Sequence, residues 1–340
     1  MNKGSLSGHV VKVLCAAIIV LPVSGVSVAS EAGSYGTIGA GVVAMDLPEN
    51  NFFADRGEAN PFTRNYDLDT DDGRAYGAAV DGRIGTYLPV AIGHYADSRV
   101  ALPGFWLNAN SDNNAFFSDT GAGMRFGWVE LNNSNGFGTP DTSTLTTKIR
   151  QDVVYWGFDV PVLMDFGMGP AASWSFQVGP SFKRLEQDTD AHGDIRNAGG
   201  SITTQVSLDD RLSTDFRGLM FGARYNRDLN SYWSVSVDAS VAKYWSRVDY
   251  DGKYVDSFNA TQNASVQESD DAVGVDLRLE IGRKLSSGLK VSAFGQINHL
   301  SDVPQVNYGS VPADAGNGVL RLESDDMTTL ILGVQLSGSF

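Results

Sequence analysis

The sequence predicts an all-β protein that forms a transmembrane, antiparallel, up-and-down β-barrel of about ten strands. After residue 30, apolar and polar residues alternate over many short segments, which is the period of a strand with two different faces. The same part of the chain has no run of about 18 apolar residues and no amphipathic helical pattern. Because no helix is available to cover the apolar strand faces, these faces must contact another sheet or lipid.

The first 29 residues have the features of a secretory signal peptide. Lys3 and Lys12 come before or at the start of an apolar stretch over 13–23, and Ser27-Val28-Ala29 fits a cleavage site after Ala29. The apolar stretch is too short to cross a bilayer as a helix. We therefore expect residues 1–29 to be removed and residues 30–340 to form a barrel in the bacterial outer membrane.

Charge and cysteine content exclude several classes of protein. Removing residues 1–29, which carry two lysines and no acidic residue, changes the formal net charge from −15 to −17. The single cysteine, Cys15, lies in the leader, so the barrel would contain no disulfide and no thiolate site. A strongly acidic chain lacks the positive surface that nucleic acid requires. We expect no nucleic-acid partner, no cofactor and no metal. The expected partners are outer-membrane lipid, lipopolysaccharide, the barrel assembly machinery and small solutes.

Three strands are predicted in the first third of the chain. The first alternates over 38–44, and the second has Asp81 and Arg83 on its polar face. A third, weaker strand is interrupted by Pro103-Gly104. Proline lacks the N–H group that a central strand donates, which makes this strand the least regular of the three.

The next two strands are predicted over 154–162 and 174–183. Asp159 lies on the polar face of the first of them. Pro180 lies within the second, and we expect a bulge or an early strand end there because proline cannot donate to the ladder.

The C-terminal half contains the clearest alternation. From Val273 to Ile281, aliphatic residues occupy every second position, and Asp276, Arg278 and Glu280 lie on the opposite face. A barrel lumen accommodates three charges on one strand face. The same pattern recurs over 219–225, 233–241, 289–298 and 330–336.

The charges predicted to face the lumen are balanced in sign. The radius of a ten-stranded barrel is about 10 Å, so side chains from opposite walls come within reach of each other. The pattern fits both a structural network of ion pairs and a narrow solute path with a charged constriction. The predicted lumen and constriction residues are Asp81, Arg83, Asp159, Arg224, Asp238, Asp276, Arg278 and Glu280, together with Lys183 and Lys290.

Tryptophans mark the predicted membrane interfaces. Trp233 and Trp245 are twelve residues apart on one strand, which corresponds to roughly 30 Å along the membrane normal at the usual rise and tilt. That distance is close to the height of the apolar band and its aromatic girdles. The predicted girdle residues are Trp156, Trp174, Trp233 and Trp245.

Short and long connections alternate along the chain. Outer-membrane barrels have short periplasmic turns and long extracellular loops, so the alternation predicts ten strands with both termini in the periplasm. Eight or twelve strands remain alternatives. A further short segment over 124–129 is interpreted as structure within the second long loop. The predicted long loops are 45–74, 109–146, 188–205, 249–270 and 301–325.

The chain ends on an alternating strand that is closed by Phe340. An aromatic residue at this position resembles the assembly signal of bacterial outer-membrane barrels. We therefore expect Phe340 to contribute to recognition by the barrel assembly machinery.

Two segments resemble a known family. WSFQVGPSFKRLEQD (174–188) followed by FRGLMFGARYNRDLNSYWSVSVDASVA (216–242) is similar to the major outer membrane protein family of the Legionella type, in which a glycine-rich strand precedes a turn and an aromatic-led strand. The similarity covers about residues 150–300 and rests on strand pattern. The resemblance implies a pore-forming surface protein and says little about its substrate.

Catalytic and metal sites have few candidates. Asp190 and His192, with the acidic run over 67–72, are the residues that an omptin-like protease site would use. A phospholipase-like Ser-Asn-Gly is present at 134–136, but Asn132 stands where that site has its histidine base, which leaves the serine without activation. The acidic run also fits a calcium loop poorly, because its glycine is one place late and its final acid is missing. His94 and His299 are far apart in the chain.

We expect a protein that is not an enzyme, with passive diffusion of small solutes through a narrow porin-like channel as its function. A structural or adhesive surface barrel with an occluded lumen is the alternative. An omptin-like surface protease is a third candidate.

Overall fold

Fourteen strands are present in the residues that the computed structural model describes. These residues are 34–47, 65–69, 74–88, 97–119, 124–126, 129–131, 143–167, 171–197, 199–257, 261–285, 288–307 and 321–339. The predicted leader and Phe340 lie outside them. The strands are β1 (Tyr35–Asp46), β2 (Asn65–Asp69), β3 (Arg74–Leu88), β4 (Asp97–Asp119), β5 (Met124–Phe126), β6 (Val129–Leu131), β7 (Ser143–Asp159), β8 (Val162–Gly167), β9 (Ala172–Arg196), β10 (Ile202–Asp228), β11 (Trp233–Asp256), β12 (Thr261–Lys284), β13 (Lys290–Asn307) and β14 (Arg321–Ser339).

The wall is a closed antiparallel barrel of ten strands. β1 pairs with both β3 and β14, and β10 pairs with both β9 and β11, so the sheet has no free edge. β7 and β8 run in the same direction, and both pair with β4 and β9, so they form one wall strand with an interruption at Val160-Pro161. The predicted fold class and strand number are confirmed. Among the described residues, no helix is long and apolar enough to cross a membrane.

Two small elements lie outside the ten-stranded wall. β5 and β6 form a separate two-stranded sheet, which agrees with the interpretation of 124–129 as structure within a loop. β2 pairs with β4 and lengthens one side of the barrel, and the sequence pattern did not predict it.

The two faces of the wall differ as the alternation predicts. On β12, Leu277 and Leu279 are about half exposed on the outer surface, whereas Glu280 is 2% exposed. Similar exposed aliphatic residues on β10, β11, β13, β14 and β1 form a continuous apolar band. This band is the surface that a transmembrane barrel presents to lipid.

The predicted long loops 188–205 and 249–270 are wrong. β9 extends to Arg196 and β10 begins at Ile202, while β11 extends to Asp256 and β12 begins at Thr261. Beyond the apolar band these strands keep their period but exchange the character of their faces: Tyr250 and Tyr254 are buried inside, and Lys253 is exposed outside. Because the outer face of these extensions is polar, they lack the apolar lipid-facing alternation that marks a membrane strand. In sequence they therefore resemble polar loops.

The prediction of a bulge or an early strand end at Pro180 is also wrong. β9 continues through Pro180, which pairs with Leu219 on β10. The carbonyl of Pro180 accepts a hydrogen bond from the amide of Val160 at 2.9 Å. In an antiparallel strand the N–H and C=O of one residue face the same neighbour, so the missing donor of Pro180 faces the interruption between β7 and β8. The irregularity therefore lies in the adjacent strand.

The interior is filled in layers. Along β11, Asp238 and Ser240 line a cavity, Tyr244 belongs to an apolar cluster, and Tyr250 belongs to a second apolar cluster in the long-strand part of the barrel. The side chains of both clusters come from many strands and are almost completely buried. We call them the lower apolar layer, which includes Leu107, Tyr155, Phe216, Tyr244 and Phe294, and the upper apolar layer, which includes Leu145, Ile149, Leu208, Tyr250 and Tyr254.

Gly274 leaves space for the Tyr244 ring in the lower apolar layer. A Cβ atom on Gly274 would lie 2.8 Å from the Tyr244 ring. We expect Gly274→Val to lower the free energy of unfolding by about 1–3 kcal/mol, because the ring has to leave its packed position. Urea titration of the refolded protein, followed by tryptophan fluorescence, measures the change.

Gly295→Val is the matched control for this substitution. A Cβ atom on Gly295 faces outward and lies 3.4 Å from the Leu332 side chain, an ordinary contact. Equal losses of stability in the two variants would contradict the packing of Tyr244 against Gly274.

Candidate functional site: a charged cavity in the lumen

A cavity of about 110 Å³ lies inside the barrel, between the lower apolar layer and the end that carries the short 229–232 turn. This volume holds several water molecules. Strand register brings its charges together, since Arg224 pairs with Asp238, and Asp238 pairs with Arg278 on the next strand. Four acids and four bases line it: Asp81, Asp159, Asp238, Asp276, Arg83, Lys183, Arg224 and Arg278.

Arg278 is the most fully bonded side chain of the cavity. Its guanidinium is 3.1 Å from the Asp81 carboxylate, donates to Gln296 at 3.0 Å and also donates to Gln335. The same group lies 3.8 Å from the centre of the Phe294 ring, within the range of a cation–π contact. These contacts fix Arg278 across the lumen between three strands.

Lys183 forms a buried ion pair with Asp276. The ammonium is 3.2 Å from the carboxylate, and the Lys183 side chain is only 5% exposed. The Tyr244 ring centre is 5.4 Å away, so the amine also contacts the lower apolar layer. An amine buried to this extent depends on its counter-charge, because removing one partner leaves an unpaired charge in the interior.

Arg83 and Arg224 share the Asp238 carboxylate. The closest N···O distances are 3.5 Å for Arg83 and 3.7 Å for Arg224. The other oxygen of Asp238 accepts a hydrogen bond from the Gln177 amide at 2.8 Å. Both arginines are thus held at distances longer than the 2.7–2.9 Å of strong charge-assisted hydrogen bonds.

Glu280 was predicted to line the constriction, and the structure places it beside the cavity instead. Lys290 donates to its carboxylate at 2.6 Å and Ser292 donates at 2.8 Å, while Arg224 is 3.8 Å away. Its side chain is buried among these groups and does not contribute to the cavity lining. The other seven predicted constriction residues, and Lys183, do line the cavity.

Sequence reasoning missed the uncharged polar residues and one ion pair. Gln177, Gln296 and Gln335 line the cavity. Alternation places all three on the polar faces of their strands, but they are not among the predicted constriction residues. Arg99 and Asp165 form a two-point ion pair at 2.5 and 2.6 Å nearer the short-turn end. Asp165 lies on β8 opposite the buried Ser175, whose hydroxyl donates to its carboxylate at 2.5 Å, so its side chain is on the inner face.

The predicted girdle residues lie on the outer face. Trp233 and Trp245 are exposed at the two ends of the apolar face of β11, and Trp174 is exposed beside Tyr225. Trp156 is half-buried and its ring contacts Phe182. Trp106, which was not predicted, is exposed and pairs with Trp156.

The structure does not bring the protease candidates together at a described site. Asp190 and His192 are exposed on the outer face of β9, away from the lumen. Asp67 and Asp69 lie on β2, and residues 71–72 and 132–136 lie outside the described residues. His299 is near Thr328 and Asp326 on β14, and His94 lies outside the described residues. Within the described ranges, no three His, Cys, Asp or Glu side chains are grouped so as to hold a metal ion.

No protein-family model matches the chain, and no curated protein matches its sequence. Solved structures of outer-membrane barrels are similar to it. The outer membrane protease OmpT of Escherichia coli has a TM-score of 0.46 and 13% identity over 91% of this chain and 97% of that chain. A major outer membrane protein of Thermus thermophilus has a TM-score of 0.30 and 14% identity over 90% of this chain and 100% of that chain. A FadL homologue of Pseudomonas aeruginosa has a TM-score of 0.26 and 11% identity over 90% of each chain.

At these identities and TM-scores, the similarity does not extend beyond the barrel fold. No family match accompanies the resemblance to the Legionella type. The class that the fold and the apolar band define is a transmembrane β-barrel of the outer-membrane type.

Proposed function

We propose that the protein is a narrow channel of the bacterial outer membrane through which small polar solutes diffuse, as the Legionella-type resemblance implies. The cavity inside the barrel carries this proposal. Its walls hold four acids and four bases from six strands, and they enclose enough space for several water molecules. A charged constriction of this kind discriminates between solutes by charge and size.

In the conformation described, side chains close the path. Arg278 crosses the cavity to Asp81, and the lower apolar layer fills the barrel beyond it. Passage therefore requires these side chains to move, and we expect small, brief conductance steps. The proposal includes cleavage after Ala29 and insertion by the barrel assembly machinery into a membrane that contains lipopolysaccharide.

A structural or adhesive barrel is the second candidate. The two apolar layers favour it, since buried side chains such as Phe216 and Tyr250 occupy the lumen on the long-strand side of the cavity. This candidate predicts no conductance in any variant. Neither candidate requires a catalytic step, and the outward position of Asp190 and His192 supports a role without catalysis.

Arg278→Ala tests the channel. The substitution removes one positive charge and much of the bulk from the constriction, so we expect higher single-channel conductance in planar bilayers. The cation-to-anion permeability ratio should rise by roughly an order of magnitude, because one charge at ~5 Å from an ion in water contributes about 0.8 kcal/mol, with opposite sign for a cation and an anion. Reversal potentials in a salt gradient measure this ratio.

Arg283→Ala is the matched control for charge. Arg283 lies on the same strand but is exposed on the outer face, over the Trp233 ring. Unchanged conductance and reversal potential in Arg278→Ala, or equal changes in the two variants, would place the conduction path elsewhere and favour the structural barrel.

A further inference from the structure

The basic side chains of the cavity differ in how closely their N–H donors are bound by partners. Arg278 and Lys183 are bound tightly by their partners, whereas Arg83 and Arg224 are not. The Nε atom of Arg224 is buried and makes no hydrogen bond with the described residues. Each guanidinium carries five N–H donors in a planar fork that matches a carboxylate. The carboxylates of Asp238 and Glu280 are 3.7 and 3.8 Å from Arg224, so this side of the cavity offers N–H donors that they do not use.

Acceptors are left over among the acids that line the same cavity. No basic side chain of the described residues lies within ion-pair distance of Asp159, in contrast to Asp81, Asp238 and Asp276. The Oδ1 atom of Asp81 is buried and accepts no hydrogen bond from the described residues, since Arg278 contacts the other oxygen. These carboxylates would accept hydrogen bonds from an ammonium group, which has three donors.

The total charge of the lining restricts the ligand further. Four acids and four bases balance, so a monovalent anion or cation would enter with its charge uncompensated. A solute with one negative and one positive group would satisfy both sides at once. The volume of about 110 Å³ limits such a solute to the smallest organic molecules.

We infer that the cavity binds a small zwitterion, with its carboxylate on Arg83 and Arg224 and its ammonium group on Asp159. The chemical class is that of the smallest amino acids. The inference rests on the proposed function in that it takes the cavity as the solute site. It adds the class of solute that the channel prefers.

Glycine is the probe for the test. The chain without residues 1–29 is refolded in detergent, its folded state is checked by heat-modifiable migration, and its thermal unfolding midpoint is measured against glycine concentration. We expect a saturable rise, because a ligand that binds only the folded state stabilises it. Sodium acetate and methylammonium chloride each supply one half of the charge pattern, and their apparent Kd should be at least about tenfold weaker.

Substitutions test which cavity residues contact the carboxylate and the ammonium group of the ligand. Arg224→Gln and Asp159→Asn should each weaken the apparent glycine Kd by at least about tenfold, since each removes a charged hydrogen-bonding partner. Arg224→Lys keeps the charge and loses the fork, so it provides a test if Arg224→Gln does not fold. Arg283→Gln on the outer face should leave the Kd unchanged.

Three results would overturn the inference: no saturable effect of glycine, an equal effect of acetate, or wild-type glycine affinity in the folded cavity variants. Results that would overturn the proposed channel differ from results that would overturn the glycine site. Glycine binding without any conductance would overturn the proposed channel and leave the site, whereas conductance without glycine binding would overturn the site and leave the channel.

Discussion

Leu277→Arg is expected to lower the free energy of unfolding by about 2–4 kcal/mol, the cost of an arginine on the lipid face near the middle of a bilayer. Leu277 is 47% exposed on β12, and its neighbours across the adjacent strands are Ala239 and Ile297, so a charge there has no polar partner. Urea titration of the protein refolded in lipid vesicles gives the value.

Gln267→Arg is the control on the same face of the same strand. Gln267 lies beyond the apolar band and pairs with Asp249 on β11, so the new arginine meets water and a carboxylate. We expect a change of no more than about 0.5 kcal/mol. If Leu277→Arg is tolerated as well as the control, the apolar band is not embedded in lipid.

Lys183→Met is expected to cost about 3 kcal/mol of unfolding free energy, at the lower end of the range for broken buried pairs. Methionine has a similar length, but it leaves Asp276 without its counter-charge beside the lower apolar layer. The cost stays at the lower end because the Asp276 side chain is 27% exposed. Chemical denaturation of Lys183→Met, of Asp276→Asn and of the double variant measures the coupling between the two side chains.

The double variant Lys183→Met with Asp276→Asn should recover most of the lost stability, since it removes both charges of the pair. Additive losses would mean that the two side chains do not interact. The same cycle separates a structural role from a transport role, because the double variant retains the volume of the constriction while removing both charges.

The outer and inner faces of the wall were predictable because strand period is a local property. Alternation alone assigned Asp81, Arg83, Asp276 and Arg278 to the inner side, where the structure has them. The alternation along β7 continues to the last residue of the strand. Asp159 therefore points inward even though the strand is interrupted directly after it.

Contacts across the lumen were not predictable, because they depend on the stagger of strands that are far apart in sequence. Alternation cannot distinguish Arg278, which crosses to Asp81, from Glu280, which is two residues away and is bound beside the cavity by Lys290. The strand extensions beyond the apolar band were missed for another reason. There the inner face is apolar and the outer face is charged, the reverse of the membrane part, as Tyr250 and Lys253 illustrate.

The measurement that tests the channel most directly is single-channel recording of Ser240→Cys before and after a small thiol reagent. Ser240 lines the cavity, and the chain has no cysteine besides Cys15 in the predicted leader. Ala239→Cys, which points outward from the adjacent position, is the control. We predict discrete conductance steps that shrink when the reagent is attached at residue 240 and do not change at residue 239. Steps that are insensitive to modification at residue 240, or the absence of steps in every variant, would contradict a solute path through this cavity.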